Sequence, residues 1–263
     1  MTALVSRVLV AAALLPVVVL LIWAGGWWMI GLAAVAGMVA LHELYVMTRN
    51  LRPVLLAGYA GTLATLIGAA WGPEWALAGF FSTLPLAFLF KAAAGSMPTA
   101  ASVSVTVLGS AWIGLGLAHL VLLRELPEHG FLTVLTVVLA VFASDTMAFV
   151  AGRVLGRHKM APQTSPGKTW EGFVAGTIAA VLVPFFAFYD EDFLTVPESL
   201  ALGALIAVAG PVGDLFESAL KRDTGVKDSG RILLGHGGML DRLDAFLFTG
   251  VGAYYLLKAF GAA

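Results

Sequence analysis

The sequence has 263 residues, of which 60% are hydrophobic and only 12% are charged, and its mean hydropathy is +0.93. A soluble domain carries roughly twice that charged fraction and could not bury so much apolar surface, so the composition excludes an ordinary soluble enzyme. The high hydrophobicity excludes a disordered chain, and the absence of cysteine excludes disulfides and thiolate metal sites. The net charge of −1 gives no indication of a nucleic-acid partner. We therefore expect an all-α polytopic integral membrane protein.

Nine apolar segments are candidates to cross a bilayer, which takes about 20 residues per helix. They span about residues 8–23, 27–47, 54–71, 75–92, 101–123, 131–151, 169–188, 199–220 and 243–260. The first is short, but a second apolar run follows at once without a small-residue cleavage site, so we interpret it as a retained helix rather than a signal peptide. We divide the chain into a region of helices 1–5 at residues 1–125 and a region of helices 6–9 at residues 126–263.

The placement of Lys and Arg predicts the orientation, because cytoplasmic loops are enriched in these residues. With a cytoplasmic N-terminus, all of the 15 basic residues except Arg124 and Lys258 fall on the cytoplasmic side. The acidic residues Glu125, Asp190 and Glu191 then fall on the opposite side. We therefore predict a multi-pass protein of the cell membrane with an external C-terminus.

Two cytoplasmic segments, residues 145–171 and residues 214–244, hold 17 of the 31 charged residues, and their carboxylates predict a cation site. Charged groups at membrane depth cost several kcal/mol unless they pair, face water or bind a cation. Hard cations such as Mg²⁺ prefer carboxylates, water and substrate phosphate. Salt bridging to a nearby Arg is the alternative for any single residue. The five carboxylates are Asp145, Asp214, Glu217, Asp241 and Asp244.

Helical spacing explains why these carboxylates would lie together. Asp214, Glu217, Ser218 and Lys221 recur at intervals that put them on one stripe of a helix. Asp241 and Asp244 likewise share one face. In the first segment, Ser165-Pro166 followed by Glu171 is typical of a helix start.

Basic side chains, hydroxyls and glycines surround the carboxylates, and these are the groups that bind phosphate. The enrichment of basic residues in cytoplasmic loops explains Arg49 and Arg52, but it does not explain the alternation of basic with acidic residues. This mixture favours a metal–nucleotide site, in which His236 is a general base or a phosphate donor. The candidate phosphate-binding residues are Ser165, Lys168, Thr169, Lys221, Arg222, Lys227, Ser229, Gly230, Arg231, Gly235, Gly237, Gly238 and Arg242.

Two histidines lie inside predicted helices. His42 adjoins Glu43 in the second, where the two are candidates for a buried polar pair, and His119 lies in the fifth. We interpret the two histidines as contributors to packing and hydrogen bonding rather than to chemistry.

The second segment resembles the signature of the phosphatidate cytidylyltransferases, the CDP-diacylglycerol synthases of bacterial and organellar membranes. The residues that carry the resemblance are Ser218-Ala219-Leu220-Lys221-Arg222, Lys227-Asp228-Ser229-Gly230 and His236-Gly237-Gly238-Met239-Leu240-Asp241-Arg242-Leu243-Asp244. The runs around Asp145-Thr146 and Ser165-Pro166-Gly167-Lys168-Thr169 are similar to two further blocks of that family. Gly167 stands where the family usually has a second lysine, and Leu234 where it usually has proline.

The resemblance implies a reaction in which CTP and phosphatidic acid give CDP-diacylglycerol and pyrophosphate. It also implies nine membrane helices, a homodimer and dependence on Mg²⁺, with K⁺ as a candidate second cation. Within this frame we expect Asp214 and Asp241 to bind metal, supported by Asp244 and Asp228, with Glu217 a weaker candidate. We expect Lys168, Lys221, Arg222, Lys227 and Arg242 to hold phosphates. Asp145, Ser165 and Thr169 would shape the site beside the lipid phosphate, and Ser218, His236, Gly237 and Gly238 would contact substrate.

Two other functions are compatible with parts of the pattern. A CTP-dependent lipid kinase would transfer the γ-phosphate instead of the cytidylyl group. An ion- or proton-coupled transporter would also carry membrane carboxylates, but the sequence has a single apparent helix break, at Gly210-Pro211, and no matching break in a related half.

Overall fold

The structure is a computed structural model, and it describes residues 15–97, 99–230 and 237–262. Within these residues the chain is almost entirely helical. Its helices are α1 (Leu15–Ala24), α2 (Gly26–Met47), α3 (Leu55–Gly68), α4 (Pro73–Phe81), α5 (Thr83–Ala93), α6 (Ala100–Gly109), α7 (Gly116–Arg124), α8 (Gly130–Val154), α9 (Trp170–Ala187), α10 (Val196–Asp223) and α11 (Leu240–Phe260). Short 3-10 turns at Arg49–Leu51 and Ala69–Trp71 and a π-helical turn at Ser110–Leu115 join some of them, and strands β1 (Lys159–Ala161) and β2 (Ser165–Thr169) form a hairpin.

Seven helical stretches in the described part of the chain are long and apolar enough to cross a membrane. They are Gly26–Met47, Pro73–Ala93, Ala100–Arg124, Gly130–Val154, Trp170–Ala187, Val196–Asp223 and Leu240–Phe260. Two shorter apolar helices, Leu15–Ala24 and Leu55–Trp71, stand where the first and third predicted spans fall, and residues 8–14 of the first lie outside the described residues. The all-α polytopic class is confirmed. The number of spans, the division at residue 125 and the orientation stay predictions.

The predicted break at Gly210-Pro211 is wrong, because α10 runs without interruption from Val196 to Asp223. Proline removes one backbone hydrogen bond from a helix. Membrane helices tolerate it where neighbouring helices pack around the site, and α10 packs against both α9 and α11. A single helix therefore carries the candidate residues Asp214 to Arg222 in fixed relative positions.

The helix predicted to follow Ser165-Pro166 with Glu171 in its first turn is confirmed as α9, and the residues before it form a strand. Ser165–Thr169 forms β2, which pairs antiparallel with β1 in a two-stranded ribbon that accommodates Pro166. Helix α9 begins at Trp170, where the Thr169 side chain accepts a hydrogen bond from the Gly172 amide at 3.1 Å. Threonine is favoured at the residue before a helix because its side-chain oxygen accepts a hydrogen bond from an amide that has no partner within the helix.

One hydrophobic core joins the two halves of the chain. Leu41 of α2, Leu117 of α7, Leu202 of α10 and Leu247 of α11 are buried within a single cluster. Helix α9 lies between α8 and α10, and α11 packs against α10 and α7. Because successive helices run in opposite directions, the end of α8, the start of α9, the end of α10 and the start of α11 all lie at one end of the helices.

Helices α10 and α11 approach most closely at Gly213. A Cβ atom there would overlap the carbonyl oxygen of Asp244 and would lie 3.2 Å from the Ala245 Cα. The missing side chain therefore lets the backbone of α11 pass directly beside Asp214.

We expect Gly213→Ala to lower the free energy of unfolding by about 1–3 kcal/mol, because α10 and α11 must separate to admit the methyl group. Thermal unfolding in detergent measures the effect. Gly31→Ala is the matched control, since its added Cβ meets nothing within 4 Å on the exposed side of α2. Equal stability of the two variants would contradict the close approach.

Candidate active site

A cavity of about 650 Å³ opens between α8, the β1–β2 hairpin, α9 and α10. Five of the candidate residues on these elements line it, together with the apolar rings of Phe149 and Phe173. The cavity thus combines polar groups with an apolar wall, as expected for a site that binds a molecule with a polar part and an apolar part. The five candidates are Asp145, Ser165, Lys168, Thr169 and Asp214, of which Thr169 is buried.

An ion pair crosses this cavity. Lys168 Nζ, at the end of the hairpin, lies 2.7 Å from Asp214 Oδ2 on α10. The same ammonium group is 3.3 Å from the carbonyl oxygen of Pro211, to which it donates a hydrogen bond. Ser218, one turn further along α10, donates its hydroxyl to Asp214 Oδ1 at 3.3 Å. Lys168 and Asp214, predicted as a phosphate-binding and a metal-binding residue, therefore meet face to face.

A second cluster lies one turn further along α10. Lys221 Nζ is 2.7 Å from Glu217 Oε2 on the same helix and 2.6 Å from Asp241 Oδ1 on α11. Asp241 Oδ2 also accepts hydrogen bonds from the amides of Gly238 at 2.7 Å and Ser229 at 3.3 Å. A salt bridge to a nearby arginine was considered for Asp241, and the structure shows one with Lys221.

Asp244 connects the two clusters. It is buried on α11, and its Oδ1 accepts a hydrogen bond from the Ala245 amide at 2.7 Å. It lies close enough to Asp145 and Asp214 for their negative charges to repel one another. A cation or a bound cationic group between these carboxylates would relieve that repulsion.

The remaining candidates lie at the rim or outside this arrangement. Lys227 and Asp228 are exposed on the segment that follows α10. Arg222 is exposed and reaches the hairpin, where its Nε lies 3.5 Å from the carbonyl oxygen of Thr164. Arg242 is exposed on the first turn of α11, and Gly237 precedes that turn with a φ of 80° that favours glycine. His236, Gly235, Leu234 and Arg231 lie outside the described residues.

From the sequence, Glu43 was a candidate for a buried polar pair with His42, but the structure places its carboxylate against the second cluster. Its carboxylate accepts hydrogen bonds from the Ser229 side chain at 3.1 Å and from the Met239 and Leu240 amides at 3.0 and 2.9 Å. The expected pairing with His42 is not formed in the described part of the chain, since His42 Nδ1 lies 2.8 Å from Tyr59 Oη instead. The signal available in the sequence was a carboxylate inside a predicted membrane helix, which must find a partner.

The donor set is compatible with Mg²⁺, although no three His, Asp or Glu side chains in the described ranges are arranged to hold a metal by themselves. Magnesium is usually held by one or two protein carboxylates, with water and substrate phosphates completing its shell. Asp214 and Asp244 supply carboxylates on facing helices. Glu217 Oε1 is buried without a hydrogen-bond partner among the described residues, which leaves one further oxygen for a ligand.

We expect Lys221→Met to destabilise the protein by about 3 kcal/mol or more, because it leaves two largely buried carboxylates without their cation. Glu217 is 1% and Asp241 16% exposed, whereas Asp214, the partner of Lys168, is 39% exposed. Lys168→Met is therefore the matched comparison, with a cost of about 1 kcal/mol or less. Scanning fluorimetry in detergent distinguishes the two variants. A Lys168 variant that unfolds more readily than the Lys221 variant would contradict this ranking.

Comparison with known proteins identifies the family. Residues 5–260 match the cytidylyltransferase family. The phosphatidate cytidylyltransferase of Staphylococcus haemolyticus (strain JCSC1435) is 42% identical over 140 residues, 53% of this chain and 53% of the relative. Those of Mycobacterium bovis (strain ATCC BAA-935 / AF2122/97) and Mycobacterium tuberculosis (strain ATCC 25618 / H37Rv) are each 33% identical over 248 residues, which cover 87% of this chain and 79% and 74% of the relatives. The match thus spans about half the length of the staphylococcal relative and most of the mycobacterial ones. The chain belongs to the cytidylyltransferase family.

Proposed function

We propose that the protein is a membrane-embedded nucleotidyltransferase that transfers the cytidylyl group of CTP to phosphatidic acid, giving CDP-diacylglycerol and pyrophosphate. The observation that carries the proposal is the gathering of lysine–carboxylate clusters beside one cavity at a single end of α8–α11, in a chain of this family. Both substrates are anionic, so bringing them together requires cationic groups.

The depth of the site supports a lipid substrate. Helix α10 has 28 residues, which at the usual rise make it about 42 Å long, longer than the hydrocarbon core of about 30 Å. Asp214 lies nine residues, about 14 Å, before the end of α10, so in a helix centred on the bilayer it falls several ångströms inside the headgroup boundary. A lipid phosphate reaches that level without leaving the bilayer, while a nucleotide reaches it from water.

In the proposed reaction, an ionised oxygen of phosphatidic acid attacks the α-phosphorus of CTP in line with the leaving group. A bond forms between that oxygen and the α-phosphorus, and the bond from the α-phosphorus to the bridging oxygen of the β-phosphate breaks. No strong general base is needed, because the attacking oxygen is already ionised near pH 7. The electron pair leaves with pyrophosphate.

The chain's own residues orient the phosphates and offset their charge. Lys168, on the cavity, is suited to hold a phosphate there, and Lys221 is suited to balance charge that develops on the leaving pyrophosphate. Asp214, Asp241 and Asp244 are the proposed ligands of Mg²⁺, which would polarise the phosphoryl oxygens when bound. Asp145 and Thr169 shape the cavity wall, and K⁺ is a proposed second cation.

Labelled CTP tests this function. Purified protein in detergent with Mg²⁺ and phosphatidic acid should move label from the α-phosphate of CTP into the lipid, and release label from the γ-phosphate as pyrophosphate. Asp241→Asn should abolish turnover in protein that stays folded by size-exclusion chromatography. Label from the γ-phosphate on the lipid would instead identify a lipid kinase. Ion movement across liposomes without any CDP-lipid would identify a transporter.

We also propose that the protein resides in the cell membrane, as a homodimer, with the site on the cytoplasmic side. Because the chain has no cysteine, single cysteines report sidedness without background. Gln163→Cys in the hairpin turn and Asp192→Cys beyond α9 are both exposed and lie beyond opposite ends of that helix. In intact spheroplasts an impermeant maleimide should label only the Asp192 variant. Labelling of only the Gln163 variant would invert the topology.

A further inference from the structure

Glu43 is a buried carboxylate that the proposed reaction does not use. It lies on α2, four residues before the end of that helix, and it is only 3% exposed. A buried carboxylate costs several kcal/mol unless hydrogen bonds or opposite charges compensate for lost water. The partners of Glu43 therefore indicate what its charge stabilises.

Among the described residues, the three hydrogen-bond partners of Glu43 lie between the end of α10 and the first turn of α11. Glu43 Oε1 accepts from the Met239 amide, and Oε2 accepts from the Leu240 amide and the Ser229 hydroxyl. The first amides of a helix lack acceptors within it and form the positive end of its dipole. Glu43 therefore caps the N-terminus of α11 from a helix nearly 200 residues earlier in the chain.

Two glycines close the backbone around this carboxylate. A Cβ atom on Gly230 would overlap Glu43 Oε1, and one on Gly238 would overlap the Ser229 hydroxyl and approach Glu43 Oε2. The lack of side chains at these positions lets both backbone segments reach the carboxylate.

The same segment also binds Asp241. Ser229 donates its hydroxyl to Glu43 and its amide to Asp241 Oδ2, and the Gly238 amide donates to Asp241 as well. Asp241 in turn lies 2.6 Å from Lys221. The position of Asp241 relative to α10 thus depends on a backbone that Glu43 holds in place.

We propose that Glu43 is a positioning residue for cytidylyl transfer, which sets the first turn of α11 and with it Asp241. The inference rests on the proposed function and extends its site to the N-terminal half of the chain. The proposed positioning role requires a carboxylate at residue 43. Two oxygens accept from three donors, whereas glutamine would keep one acceptor oxygen and turn its own N–H₂ toward a donor.

The test compares Glu43→Gln with His42→Gln, a neighbouring substitution on the same helix that removes only the contact with Tyr59. Loss of charge-assisted hydrogen bonds predicts that kcat of the Glu43 variant falls about ten- to a hundredfold. The KM for CTP should change much less than kcat, because the cations around the cavity stay in place. Glu43→Asp keeps the charge and both acceptor oxygens on a shorter side chain. Its kcat should therefore lie between those of Glu43→Gln and the wild type.

Hydrogen–deuterium exchange without substrate gives a readout independent of activity. Peptides covering residues 237–243 should exchange faster in Glu43→Gln than in His42→Gln, while peptides from α8 should be unchanged. Activity and exchange equal to those of the His42 variant would overturn the proposal. If Glu43→Gln does not fold, Ser229→Ala removes one of the three donors, and unaltered exchange and kcat in that variant would overturn it equally.

The two proposals fail in different ways. If the wild type makes no CDP-lipid, the proposed function fails and the positioning role in that reaction fails with it, while faster exchange in Glu43→Gln would still establish the cap on α11. If the wild type makes CDP-lipid and Glu43→Gln does so at the same rate, only the positioning role fails.

Discussion

The arrangement of α10 and α11 depends on the contact of Lys221 with Glu217 and Asp241. Three charged groups at the end of two membrane helices are stable there only as a set, since each alone would carry a large desolvation cost. Lys221 lies between the two carboxylates at 2.7 and 2.6 Å and thereby links the end of α10 to the start of α11. Close backbone contact at Gly213 brings Asp244 toward Asp214. Charge pairing and helix packing therefore support the same geometry.

This geometry explains how a chain with so few charges forms a polar site. The ends of α8–α11 that carry charge face one another because neighbouring helices alternate in direction. Each cation in the two clusters lies against a carboxylate, so the site is held together before substrate arrives. Anionic phosphates would compete with these carboxylates for Lys168 and Lys221. When substrate binds, the two lysines can therefore exchange a carboxylate partner for a phosphate.

The apolar helices could be predicted within a few residues, because a bilayer requires long apolar runs that no other element reproduces. The ends of α10 were harder to predict, since the helix continues at Val196–Glu198 and Lys221–Asp223, where the residues become polar. The hairpin at Lys159–Thr169 was not predicted, because strands of three and five residues leave little periodic pattern.

Site composition could be predicted better than site connectivity. Helical spacing predicted that Glu217 and Lys221 meet, because they are four residues apart on one helix. It could not predict that Lys168 pairs with Asp214 or that Glu43 caps α11, since both contacts join distant segments through tertiary packing. For this reason the sequence pointed to the neighbouring His42, and not to the start of α11, as the partner of Glu43.

A structure determined with CTP and Mg²⁺ tests the central claim most directly, namely that the charged ends of α8–α11 form one nucleotide site. The nucleotide phosphates should contact Lys168 or Lys221, beside Asp214 and Asp241. Nucleotide bound at the opposite ends of these helices, near Arg124 and Glu125, would contradict it.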